Sequence, residues 1–206
     1  MRCLALFMII VLSSCVPQEY APTARFAVVP NPHVPSGKPV NMSVGIRPLD
    51  PLMPYKQRIV YRAADYQIGY IPQSEWAEMP RDTVTRALLD ALVASNRFAD
   101  VGDAADLRNP DCVLTGELRR FDQDRSSVPW QAVCEMRIEL RVGLLREAVW
   151  SGTIVHREPL AQEDTAALAA AMSKAVARVV EDAASQITAV EFPERDASEI
   201  KEDPNG

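Results

Sequence analysis

Histidine is almost missing from this chain of 206 residues: His33 and His156 are the only two. Cysteine occurs four times, as Cys3, Cys15, Cys112 and Cys134, with no C-x-x-C or H-x-x-x-H spacing, which excludes the common zinc sites. The 8 glycines are scattered, so no loop can cradle a phosphate through its backbone. Ser13-Ser14 and Ser126-Ser127 lack the G-x-S-x-G setting of an activated serine. Positive charge is also short, with 22 Lys and Arg against 28 Asp and Glu and a formal net charge of −6. That balance argues against nucleic acid as a partner, since phosphate recognition needs clustered cations. No run of 18 apolar residues exists, so no transmembrane helix is expected in the mature chain. His156 falls in an expected strand and reads as structural. Glu75 and Glu78 read as a solvated approach to a helix N-terminus, where negative charge suits the dipole. These absences leave no catalytic set and no cofactor site; the expectation is a non-catalytic protein.

What is present starts at the N-terminus. Arg2 precedes an unbroken apolar run, Leu4 to Leu12, which has the length of a signal-peptide core and is too short to span a bilayer. Leu12-Ser13-Ser14-Cys15 closes it and resembles the bacterial lipobox: an aliphatic residue, two small residues and the cysteine whose thiol takes diacylglycerol. Residues 1–14 are therefore expected to be a lipoprotein signal peptide and Cys15 the lipid anchor; more than one acyl chain is what stable anchoring requires. Val16 follows the cysteine, and the absence of Asp there favours the outer membrane under the enteric sorting rule.

Residues 15–40 carry six prolines from Pro17 to Pro39 and are expected to form an extended tether. Within it, Phe26 to Val29 is read either as tether or as an edge strand. Residues 41–189 read as one domain. Met42, Val44 and Ile46 alternate as a strand; Arg58–Arg62 and Tyr66–Ile71 form two short strands around a turn at 63–65. Pro80 to about Asn96 has helical spacing with Pro80 at N1, and Phe98 and Val101 follow it. Asp111–Phe121 and Gln131–Leu145 read as a long hairpin, joined by Val149–His156 as a third strand. Cys134, Met136, Ile138, Leu140 and Val142 lie on one side of its second strand; Glu135, Arg137, Glu139 and Arg141 lie on the other, as a wet face or an interface. Glu163 to Thr188 is helical, with Asp164 as N-cap. The acidic tail, 190–206, is expected to be disordered. The fold class is thus α+β, a single domain with a mixed, mostly antiparallel sheet packed against two helices. Cys112 and Cys134 share the apolar parity of neighbouring strands and are either a disulfide or two buried thiols.

The string Ile59-Val60-Tyr61-Arg62, then Tyr70, Trp76-Ala77-Glu78-Met79-Pro80, and Leu88, Leu92, Phe98 and Val101 resembles the ABC-type transport auxiliary lipoproteins, including the paraquat-inducible protein C-like members. Asp111-Cys112-Val113-Leu114, Leu118, Phe121 and the alanine-rich last helix fit the same pattern, so the resemblance covers about Met42 to Ile187. It implies a non-catalytic envelope lipoprotein on the periplasmic face of the outer membrane. Such a protein works with an ABC permease, an ATPase and a periplasmic protein of the mammalian cell entry type that moves lipids or other hydrophobic molecules. Candidate partner-binding residues are Tyr61, Tyr66, Tyr70, Trp76 and Trp130, because exposed aromatics favour interfaces; Trp76 reads equally as core. Self-association into a ring is a further expectation. The alternative is an envelope lipoprotein that activates or assembles cell-wall or outer-membrane machinery.

Overall fold

The computed structural model describes residues 22–64, 66–143 and 147–192. The signal peptide, Cys15, Asp65, Leu145 and the tail beyond residue 192 lie outside the described residues. The chain order is β1 (Ala24–Phe26), β2 (Val40–Ile46), β3 (Asp50–Pro51), β4 (Arg58–Arg62), β5 (Ile68–Trp76), α1 (Pro80–Ala94), β6 (Phe98–Asp103), β7 (Cys112–Asp124), β8 (Gln131–Val142), β9 (Glu147–Pro159) and α2 (Thr165–Thr188). The fold is α+β, two helices against one large mixed sheet that does not close.

The 13-residue strand β7 organises the sheet. Along one edge it pairs antiparallel with β8 over its whole length, and β8 pairs antiparallel with β9. Along the other edge three parallel partners follow in tandem: β2 at Cys112–Leu114, β3 at Glu117–Leu118 and β4 at Asp122–Asp124. Most paired residues are antiparallel, as expected, because the β7–β8–β9 meander is long. Most of the neighbouring strand pairs are nevertheless parallel, since β1–β5 and β2–β6 join those three. Gly116 is needed inside β7, because a Cβ there would sit 2.2 Å from the Arg137 carbonyl oxygen on β8.

Alternation on β8 buries Cys134, Met136, Ile138 and Leu140 under α2, which also packs on β9. On α2, Leu168, Met172, Val176, Val179, Ala183 and Ile187 recur at three- and four-residue spacing, and all are buried. Each large aliphatic side chain contributes about 1.5–3 kcal/mol of transfer free energy, and the alanines between them let the helix approach the sheet closely. Asp164 caps this helix by accepting from the Ala167 N–H at 2.7 Å. Pro80 occupies the first turn of α1, which packs on α2; the helix stops at Ser95, and Asn96 (φ 50°) turns the chain in the left-handed region.

Two expectations change and one open alternative is resolved. Residues 22–40 do not stand off as a tether. β1 pairs parallel with β5, and the Val29 and His33 N–H groups donate to Ser173 Oγ (3.0 Å) and Glu181 Oε1 (2.7 Å) on α2. Gly37 and Val40 then donate to the carbonyls of Ser95 and Arg97. Proline removes backbone donors but does not stop the intervening Phe26, Val28 and Val34 from packing on the core. Second, β5 runs on to Trp76 rather than ending at Ile71. Its ladder with β4 shifts register between Arg58 and Val60, and that irregularity absorbs Pro72 and Gln73 (φ 51°). Of the two readings of Cys112 and Cys134, the structure has the buried thiols: the two do not bridge. Cys112 stands opposite Val142 and Cys134 opposite Phe121, so they occupy distant rungs of the β7–β8 ladder. Nine residues of β7 separate Cys112 from Phe121, about 30 Å at ~3.3 Å per residue, against a Cα separation of ~7 Å that a disulfide tolerates. Burial, followed by the charges of Asp122 and Glu135, pushes the Cys134 thiol well above its ordinary pKa.

Candidate binding end

Parallel pairing of Arg62 with Asp124 brings the ends of β4 and β7 together. The turn 63–67 and the loop 125–130 therefore lie side by side at one end of the sheet. Beneath them the Asp122 carboxylate is fully buried. A buried charge survives only when it is paired and hydrogen-bonded, and Asp122 is both. It accepts from Tyr55 Oη at 2.6 Å, from Arg62 Nε at 2.9 Å and from Arg120 Nη2 at 2.6 Å. Arg62 also donates to Tyr55 Oη, and Arg120 reaches Asp124 at 3.1 Å. Burial, then the Asp122 charge and hydrogen bond, raise the Tyr55 phenol to about 12. Burial alone would lower Arg62 and Arg120; their bonds to Tyr55, Asp122 and Asp124 outweigh it, and both guanidiniums are held charged. Burial would likewise raise Asp124, but hydrogen bonds from Ser126 and the pairing with Arg120 lower it.

On the opposite face of the same strand ends, where Tyr61 and Gln123 alternate with Arg62 and Asp122, lies an aromatic stack. Tyr61 pairs with Gly69 across β4 and β5, and its ring lies over the glycine, where a Cβ would come within 2.4 Å of Cζ. Arg125 lies 4.0 Å from the Tyr61 ring centroid and 4.4 Å from that of Trp130, so its guanidinium joins the two rings. Its Nε donates to Gln123 Oε1 at 2.7 Å. An open hollow of about 600 Å³ lies on the Asp122 side of these strand ends, lined by Arg62, Tyr66, Arg120, Asp124 and Ser126 among others. Tyr66 is fully exposed at φ 63°, and Val128 is 83% exposed.

The candidate residues separate into two groups. Tyr61, Tyr66 and Trp130 gather at this end. Tyr70 is half-buried on β5 under the Arg58 guanidinium, 3.7 Å from its ring centroid. Trp76 is 2% exposed and meets Phe121 edge-on at 5.3 Å, so it is core and no partner surface. Sequence reasoning missed Tyr55, Asp122 and Arg120. The R-F-D-Q-D-R string puts Arg120, Asp122 and Asp124 on one strand parity, but nothing in it marks Asp122 as buried. His156 bonds Asp182 on α2 at 2.7 Å. Among the described residues no group of His, Cys, Asp and Glu is arranged to hold a metal ion, and no helix is long and apolar enough to cross a membrane.

The family model described as "ABC-type transport auxiliary lipoprotein component" matches residues 29–184. Among solved structures, protein XCC0632 from Xanthomonas campestris is 24% identical with a TM-score of 0.69, over 80% of this chain and 95% of its own. A second, an uncharacterized protein, is 11% identical with a TM-score of 0.60, over 75% of this chain and 99% of its own. Both likenesses concern the fold. No curated protein matches. The string from Ile59 to Arg62, the Trp76–Pro80 approach to α1 and most of the alanine-rich α2 lie inside the matched span: the chain belongs to the ABC-type transport auxiliary lipoprotein component family.

Proposed function

We propose that this protein is a non-catalytic, lipid-anchored component of the outer membrane. In this reading it docks the periplasmic, mammalian cell entry type protein of an ABC transporter that moves lipids or other hydrophobic molecules. The observation that carries the reading is the family match over 29–184. The Leu12-Ser13-Ser14-Cys15 string ahead of it supplies the attachment point. The folded domain is compatible with the same role: the buried Asp122 carboxylate is paired by Tyr55, Arg62 and Arg120, which ties β4 to β7. Docking needs a rigid domain near a membrane and no turnover.

Two measurements test this. Cys15→Ala should leave the chain unprocessed or release it from the membrane fraction; a variant that still fractionates as a processed, acyl-labelled protein overturns the anchor. Crosslinking of the native protein in cells should recover the permease, the ATPase or the mammalian cell entry type protein. Recovery of cell-wall synthases without any transport component would transfer the protein to the assembly role.

A further inference from the structure

Every element fixes the polarity of the molecule relative to the Tyr66–Val128 end. β4 and β7 run toward it, and β5 runs away from it. β1 is parallel to β5, with Ala24 level with Ser74 and Phe26 with Trp76. β1 therefore runs away from the Tyr66–Val128 end, starting level with the distal part of β5. Val29 then meets Ser173 and His33 meets Glu181, farther along α2 in the same direction. At the opposite end Arg97 ties Val190 down, bonding its carbonyl at 3.0 Å.

The lengths agree. Glu75, one residue past the level of Ala24, stands opposite Arg58, and Ile68 stands opposite Arg62. Four residues of β4 separate those levels, about 13 Å at ~3.3 Å per residue. Nine residues separate Cys15 from Ala24 in the sequence, and extended they reach at most about 30 Å. A membrane holding Cys15 is thus within reach of the Tyr66–Val128 end, and the strap along α2 leads away from it.

The chemistry of that end suits a lipid surface. Tyr66 and Val128 expose apolar area at the tips of the two neighbouring loops, and Trp130 and Arg125 of the second loop are half-buried. Tyrosine and tryptophan favour the headgroup level, where one edge is apolar and the other wet. The Arg125 guanidinium has five N–H donors, and the stack directs one, Nε, to Gln123. Glu163 lies near enough to Arg125 to act on its charge. The end therefore has no large cationic excess, and attraction comes from burying rings and Val128 rather than from net charge.

We propose that the Tyr66–Val128 end is a membrane-contact surface, seated on the same lipid surface that holds the N-terminal anchor and setting the orientation of the domain on it. The identity of that membrane rests on the lipid-anchor reading of Cys15; the contact itself does not. The test therefore supplies its own anchor. The mature chain, residues 15–206 with Cys15→Ser and a histidine tag ahead of residue 15, is held by nickel-chelating lipid on vesicles of phosphatidylethanolamine and phosphatidylglycerol. An environment-sensitive dye is placed through Val128→Cys, or through Val93→Cys near the opposite end, where Val93 is 50% exposed. Brominated lipids should quench the dye at 128 at least about threefold more than at 93, as expected for a group sunk ~5–10 Å into the interface. Tyr66→Ser in the 128-labelled chain should reduce that quenching, and high salt should leave it largely intact. Equal quenching at the two positions overturns the proposal. So does a dye at 128 that is shielded by added transporter components but not by lipid, which would make this end a protein-docking surface. Failure of natural Cys15 acylation is read separately, in cells, and leaves this result standing.

Discussion

At the residue scale the most deeply buried carboxylate among the described residues is that of Asp122. Asp122 has lost its water and recovered three charge-assisted or phenolic hydrogen bonds. Removing one member of such a set leaves another stranded, at about 3–5 kcal/mol. Arg120→Ala should therefore lower stability by roughly 3 kcal/mol in chemical denaturation, while Arg137→Ala on the exposed face of β8 should change it by about 0.5 kcal/mol or less. Equal effects would mean that the Asp122 cluster carries no special weight. Tyr55 adds a pH dependence. Its pKa is raised from about 10 unfolded to about 12 folded, so its contribution is fully present below pH 10 and is lost as pH rises through 12. Stability should fall by about 2–3 kcal/mol across that window, and Tyr55→Phe should remove the dependence. Little of this cluster was legible in the sequence. Alternation marks β7 as a strand, but only its pairing with β4, sixty residues earlier, shows that Asp122 is buried beside Arg62 and Tyr55. The cysteines teach the same point. Parity places Cys112 and Cys134 correctly inside the core, yet register, which parity does not supply, sets them on distant rungs. Both should resist alkylation in the folded protein and react, unreduced, once denatured; a disulfide-linked peptide in the mass spectrum would contradict the ladder.

At the scale of elements, the long and strongly periodic segments were readable and the short ones were not. α1, α2, β8 and β9 follow from spacing alone, because each is long enough to repeat its period several times. β1, β3 and β6 escape such reading, since two to six residues hold too little pattern and their strand character comes from a parallel partner. β5 was readable only up to Ile71, where Pro72 breaks the alternation and the structure answers with an irregular ladder. The most demanding position in any element is Gly116. No side chain fits between β7 and the Arg137 carbonyl, and the contact is to backbone, which cannot swing aside. Gly116→Ala should force β7 and β8 apart at the middle of the meander and cost about 2–4 kcal/mol, the range of a strained core substitution. The control is Gly143→Ala, where no atom lies within 4 Å and the positive φ of 74° alone makes the change unfavourable, by about 1 kcal/mol. A Gly116 variant as stable as the Gly143 variant would show that the meander can slide.

At the scale of the whole molecule, the question is where the domain begins. Composition places the boundary near Asn41, because six prolines cluster before it. The structure carries the fold back at least to Ala24. Phe26, Val28 and Val34 pack on the core, β1 completes the edge beside β5, and four backbone N–H groups of the strap are bonded to α2, Ser95 or Arg97. The strap is bonded to α2 at Ser173 and Glu181 and borders α1 at Thr83, Arg86, Ala87 and Asp90, so it braces both helices. It also decides at which end the chain arrives, and hence which loops meet whatever surface holds the N-terminus. A chain beginning at Asn41 should therefore unfold at a lower temperature than one beginning at Val16. Loss of the three apolar contacts alone amounts to about 3 kcal/mol or more by transfer free energy, or several degrees in a domain of this size. His33 offers a milder check: Glu181→Gln keeps an acceptor for its N–H, whereas Glu181→Ala removes it and should loosen the strap without unfolding the core, read as faster hydrogen exchange at residues 29–37 and unchanged exchange in β8. If the Asn41 chain melts with the longer one, the prolines were a tether after all, and the domain is free to turn on its anchor.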